Sequence, residues 1–151
     1  MHLYFMQKMD NSKITTAFIQ RFDGPTNLNL QLSLDQIKSL NDCKYLLVIQ
    51  SIIEKSIKLT VYPVNKSKII KVSLFGLKLS KKTLKEISKI LQKYEVIHSS
   101  GILKIKNSLM YECYLNLSLT EKQSEDLNSS LHKINNIFKK VKIEEVGLIS
   151  S

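Results

Sequence analysis

Lys81, Lys85, Lys89 and Lys93 recur every four residues, with Lys82 beside the first. On a helix of about 3.6 residues per turn that spacing lays the ammonium groups along one slowly drifting stripe. The chemistry such a stripe can do is electrostatic. Each phosphate it neutralises adds salt-dependent affinity for a polyanion such as double-stranded DNA, without sequence preference. Glu86 and Glu95 barely relieve the charge. Like charges four residues apart cost an isolated helix about 0.2–0.5 kcal/mol per pair. The stripe therefore either serves an acidic partner or reflects a lysine-rich composition, and both readings stay open.

Covalent and metal chemistry find little to work with. His2, His98 and His132 are scattered, with no cysteine or carboxylate at ligand spacing, so no metal site is expected. There is no phosphate-binding loop, no dinucleotide fingerprint and no glycine-flanked nucleophilic serine. Glu144 and Glu145 are adjacent and would face opposite sides of a strand, which does not suit a shared acid–base pair. The expectation is a protein with no cofactor and no catalytic residue, not an enzyme. Cys43 and Cys113 lack a closely spaced partner and read as reduced thiols of an intracellular protein, in nucleus or cytoplasm.

The charge balance sharpens the picture. The chain of 151 residues carries a formal net charge of +10. Its source is almost wholly lysine, since Arg21 is the sole arginine. Residues 67–110 hold ten basic and two acidic side chains, whereas 111–151 hold five and six. A field concentrated in the middle third suits a nucleic-acid or other acidic surface. Lysine favours loose contact with phosphates over bidentate reading of bases. Apolar residues make up 43% and charged residues 24%, which excludes a disordered chain and allows a true core. The apolar runs are too short to span a bilayer, and Met1–Asp10 lacks the pattern of a signal peptide, so no membrane partner is expected.

The elements that must position these groups follow from periodicity. Leu3–Met9 and Lys13–Phe22 read as strands about the turn Asp10-Asn11-Ser12. Leu28–Leu32 alternates as a half-buried strand, and Ser33-Leu34-Asp35-Gln36 opens a short helix to Leu40. Lys44–Ile53 and Ser56–Val64 predict a hairpin, and Ile69–Leu77 a further strand. From Ser80, which suits an N-cap, the period becomes helical, with Leu84, Ile87, Ile90 and Leu91 as the packing face. Val96–Ser99 and Ile102–Lys106 predict strands broken at Gly101, and Met110–Leu119 has the clearest alternation. Thr120-Glu121-Lys122-Gln123 predicts the start of a helix running to about Lys140, striped by Leu127, Leu131, Ile134, Phe138 and Val141. Ile143–Ile149 closes as a strand. The class is α+β, a mostly antiparallel sheet with three amphipathic helices on one face.

Met9-Asp10-Asn11-Ser12, followed by Ile14, resembles the strand–turn–strand of sliding DNA clamps of the proliferating cell nuclear antigen type. The order of the following elements is similar as well: Leu28–Leu40, the hairpin Lys44–Val64, the strand Lys68–Leu79, and Met110–Leu131 as the start of a second clamp domain. The resemblance covers about two-thirds of the chain, and its one sharp motif is four residues long. It implies a partial clamp-like domain over 1–79, a connector or inserted basic helix and hairpin over 80–109, and a second clamp-like domain from 110 to 151. It also implies a processivity factor, a homo-oligomeric ring tracking duplex DNA and docking a DNA polymerase or other replication proteins. The inner-helix role would fall on Lys38, Lys122 and Lys133, beside the stripe Lys81, Lys82, Lys85, Lys89 and Lys93. The peptide-docking groove would fall on Met9, Lys13 and Ile14.

Residues 68–149 also read as a self-contained βαββαβ unit, which resembles ferredoxin-like and ACT-type regulatory or protein-interaction modules. ACT-type domains hold an amino acid at the loop between first strand and first helix, usually at an exposed glycine. The equivalent stretch Lys78–Lys82 has none, and Gly76 lies earlier.

Overall fold

A computed structural model describes residues 15–21, 42–53 and 56–149. The elements are β1 (Thr15–Arg21), β2 (Tyr45–Ile53), β3 (Ser56–Val64), β4 (Ile69–Phe75), α1 (Lys81–Leu91), β5 (Val96–Ile105), β6 (Ser108–Leu115), α2 (Lys122–Lys133) and β7 (Lys140–Val146). They form two antiparallel sheets, one ordered β1-β2-β3 and the other β5-β6-β4-β7. The class is thus α+β. The expected strands over 3–9 and 28–32, the helix over 34–40, and the residues Met9, Lys13, Ile14 and Lys38 lie outside the described residues.

β4 explains the architecture. Its sequence Ile-Ile-Lys-Val-Ser-Leu-Phe is buried from Ile69 to Leu74, so both faces are covered. Ile70, Val72 and Leu74 join Cys113 and Leu115 of β6 under α1 and α2, with Ile87, Ile90, Leu91, Leu127 and Leu131 completing this core. Both helices therefore pack on the same face of the sheet. On the opposite face Ile69, Tyr114 and Val146 meet Ile19, Leu47, Ile49 and Val64 of the three-stranded sheet in a second core. A parallel bridge between Ile19 and Leu148 ties β1 to the chain just beyond β7. The Ile19 amide donates to the Gly147 carbonyl at 3.1 Å, and the Ile149 amide to the Ile19 carbonyl at 3.2 Å.

The helix-free face also buries polar atoms. Lys71 Nζ lies 2.9 Å from Glu112 Oε1, with side-chain exposures of 6% and 1%. Ser73 Oγ donates to the same carboxylate oxygen at 3.2 Å, and Ser73 stands directly opposite Glu112 in the ladder. Charges withdrawn this far from water persist only when paired and hydrogen-bonded.

The order β4-α1-β5-β6-α2-β7 places β4 between β6 and β7. Lys71 pairs in register with Tyr114 on one side and Glu144 on the other. The expected boundaries at 79/80 and 109/110 are therefore crossed by a single sheet. β4, β5, β6 and β7 share that sheet.

Two element boundaries also differ. The final helix stops at Lys133, and Asn135–Ile137 makes one 3-10 turn before β7 begins at Lys140. Asn135 and Asn136 disfavour helix because their side chains compete for nearby backbone groups. Phe138 and Val141 still reach the helix-side core, but from the connection and from β7. β5 runs unbroken through Gly101, which adopts φ +71 beside a register shift between Ser99 and Ile102. The glycine thus marks a bulge within one strand.

Candidate functional site: the lysine face of α1

α1 is set by its cap and its buried stripe. The Ser80 hydroxyl accepts from the Thr83 amide at 3.0 Å, as the sequence predicts for an N-cap. Thr83, Ile87, Ile90 and Leu91 are buried and fix the helix against the sheet. Lys81, Lys82, Lys85 and Lys89 are all exposed on the remaining surface, and Lys93 is exposed just past the C-cap Gln92. A rigid scaffold thus presents five lysines to solvent.

None of them is neutralised within the described residues. The ion pairs seen there use Lys66 with Glu121, Lys68 with Glu145, Lys71 with Glu112 and Lys142 with Glu144. The first turn of α1 contains no acidic residue and begins with Lys81 and Lys82. Positive charge there opposes the partial positive charge of the unpaired helix N-terminus. The arrangement is electrostatically unfavourable for the helix itself and favourable for an anion.

α2 is a weaker candidate. Lys122 and Lys133, its first and last residues, are exposed, but Glu125 and Asp126 are exposed between them. Lys133 and Lys93 nevertheless line one shallow groove with Tyr94, Gln123, Asp126, Ser129 and Ser130. The structure therefore brings the C-terminal ends of the α1 stripe and of α2 to one depression. The capping box expected at Thr120 is replaced by a different device. Glu121 is the N-cap residue without a side-chain cap, and its carboxylate accepts from Lys66 Nζ at 2.7 Å and from the Ser118 amide at 2.8 Å. Those bonds, the Lys66 one foremost, hold the Glu121 carboxyl below its ordinary range.

Three amides of the loop between β4 and α1 are bonded within the chain. The Gly76 and Leu77 amides donate to the Leu109 carbonyl at 2.9 and 3.1 Å, and the Lys78 amide to the Ile137 carbonyl at 2.9 Å. Gly76 has φ +68, and a Cβ there would lie 2.6 Å from Lys139 Cγ. Its glycine character answers to a left-handed turn and a close approach of the chain.

Around α1, sequence reasoning misplaced Leu84 and missed a groove. Leu84, assigned to the packing face, is 44% exposed. It lines an apolar groove between α1 and β5, together with Ile87, Leu91, Tyr94, Val96, Ile102 and Tyr111. Its position on the flank of the buried stripe, one residue before Lys85, was the available signal. No metal-ligating cluster occurs among the described residues, and no helix among them is long and apolar enough to cross a membrane. No protein-family model matches this chain, and no curated protein does either.

Proposed function

We propose that this chain is a non-catalytic protein that holds double-stranded DNA by its phosphate backbone through Lys81, Lys82, Lys85, Lys89 and Lys93. The observation that carries this reading is four exposed lysines on one firm helix and a fifth, Lys93, just past its C-cap, unpaired within the described residues, with no acid in the helix's first turn. Point charges on long flexible stems suit a mobile contact that tolerates any sequence. Lys133 extends the surface from α2 at the shared groove, and Lys122 stands at that helix's other end.

The clamp reading asks for more than this contact. It needs ring closure by edge-paired strands, a homo-oligomer and an outer groove for replication proteins. Support for those features comes from the sequence resemblance alone. The sheet order β5-β6-β4-β7 within a βαββαβ chain instead supports the ferredoxin-like alternative for residues 69–146. DNA binding through α1 is compatible with either fold, because the site depends on one helix rather than on the ring.

A second reading, a regulatory or protein-interaction module, is favoured by that same sheet order. An ACT-like amino-acid site has little support, since the Gly76, Leu77 and Lys78 amides of the β4–α1 loop are already bonded internally. The experiment that separates the readings is binding of a labelled duplex at several salt concentrations. The intact chain should show a steep linear fall of log affinity with log salt. Replacing Lys81, Lys85, Lys89 and Lys93 by Ser should reduce the slope by about 2–4, because each phosphate left unneutralised takes about 0.9 from it. An unchanged slope removes these residues from the DNA face. A melting temperature that rises with a free amino acid would instead favour the sensor.

A further inference from the structure

The apolar groove between α1 and β5 is not used by the DNA contact proposed above. Its volume is about 460 Å³, and its wall contains no charged side chain. Leu84 is 44% exposed and Val96 40% exposed, so two apolar side chains stand half-open to water at its mouth. Ile87, Leu91, Ile102 and Tyr111 form the deeper lining.

The rim is cationic. Lys81 and Lys85 lie within one turn of Leu84, and both are exposed. Lys104 is exposed on β5, and its register opposite Leu109 puts it on the same side of the sheet as Ile102. Of the nearby acids, Asp126 lies beside Tyr94 in the neighbouring groove, and Glu95 is engaged by Asn116 Nδ2 at 2.8 Å. Glu86 lies about 160° around the helix from Leu84. An apolar floor within a positive rim complements an apolar anchor flanked by carboxylates.

We propose that this groove docks an acidic segment of a partner protein, inserting apolar side chains at Leu84 and Val96 while its carboxylates face Lys81, Lys85 and Lys104. Two observations disfavour a second copy of the chain as occupant. A second copy would bring the same lysines to the same rim, within a molecule of net charge +10. The edge strand β5 also carries register shifts between Val96 and His98 and between Ser99 and Ile102. Such bulges twist an edge away from continuous pairing with a like edge. Duplex DNA has no apolar side chain to place on the floor.

The test uses fluorescence anisotropy of a labelled synthetic peptide of about a dozen residues, mixing Leu with Asp and Glu, enough to span a ten-residue strand. Binding should weaken several-fold as salt rises. It should also weaken about tenfold when either Leu84 or Val96 is replaced by Ser. Both positions are half-exposed, so the core survives the change. Control peptides with Lys for the acids, or Ser for Leu, should bind at least tenfold more weakly. The Leu84→Ser and Val96→Ser variants should keep wild-type DNA affinity, whereas Lys82→Ser/Lys89→Ser/Lys93→Ser should lose DNA affinity and keep the groove's dependence on Leu84. The two proposals can therefore fail separately. Equal binding of the control peptides, no loss in the Ser variants, or no binding at all would overturn the docking site. So would light scattering showing a dimer that Leu84→Ser dissolves.

Discussion

If the α1 lysines are kept for a polyanion, they store electrostatic cost in the free protein, and relieving it should stabilise the fold while abolishing DNA binding. The sharpest perturbation is Lys81→Glu/Lys82→Glu, at the first two helical positions after the Ser80 cap. Reversing charge there converts an unfavourable dipole interaction into a favourable one, each charge being worth about 0.3–1 kcal/mol near an exposed helix start. The Lys81–Lys85 pair changes from repulsion to attraction while the Lys82–Glu86 pair changes the opposite way, so these two contributions of about 0.2–0.5 kcal/mol nearly cancel and the dipole dominates. Screening and side-chain freedom trim the sum, leaving a net gain of about 1–2 kcal/mol at low ionic strength. For a chain of 151 residues this raises Tm by about 3–6 °C. Calorimetry at low and high salt reads it, and the gain should shrink as salt screens it. In parallel, affinity for a labelled duplex should fall by at least tenfold. A variant with unchanged or lowered Tm at low salt would show that no strain is stored, and the reasoning from unpaired charge would fail.

Other consequences follow from the scaffold. Lys71→Met should cost about 3–5 kcal/mol in urea unfolding, because it leaves the buried Glu112 carboxylate without its cation, and Lys71→Met/Glu112→Leu should cost much less than the sum of the singles. Gly76→Ala should destabilise by about 1–3 kcal/mol, since φ is +68 and the new methyl meets Lys139 Cγ at 2.6 Å. His98 Nδ1 and the Tyr62 hydroxyl share a hydrogen bond of 2.8 Å across the two sheets, and burial, helped by the charge of Lys58, pushes the His98 ring below the ordinary 6.5. The unfolded chain then binds the proton more readily, so stability is full above pH 6.5 and declines as pH falls below it. His98→Gln should flatten that decline in a series of urea melts.

Much of the scaffold was legible because local pattern and tertiary role agree. Ser80 as a cap, Ile87, Ile90 and Leu91 as a buried stripe, and the hairpin β2–β3 follow from period and turn chemistry alone. The lysine face was equally legible, since helical spacing fixes which side chains share a side. What periodicity does not encode is strand order. Ile69–Phe75 reads as a strand whether it closes a domain or lies in the middle of a sheet. Only the pairing with β6 and β7, each more than thirty residues distant, decides which. The buried Lys71–Glu112 pair was hidden for the same reason, because charged residues are ordinarily assigned to the surface. The α1–β5 groove depends on how far a helix sits from a bulged edge strand, a distance no single segment records.

The most direct measurement is amide chemical-shift mapping of the full chain during titration with a short duplex DNA of arbitrary sequence. Binding by the α1 lysines predicts shifts concentrated at residues 81–93, a smaller set near Lys133, and the same pattern for an unrelated sequence. Shifts centred on the sheet, or none at a protein concentration of about 100 µM (at or above ordinary non-specific Kd values), would contradict it.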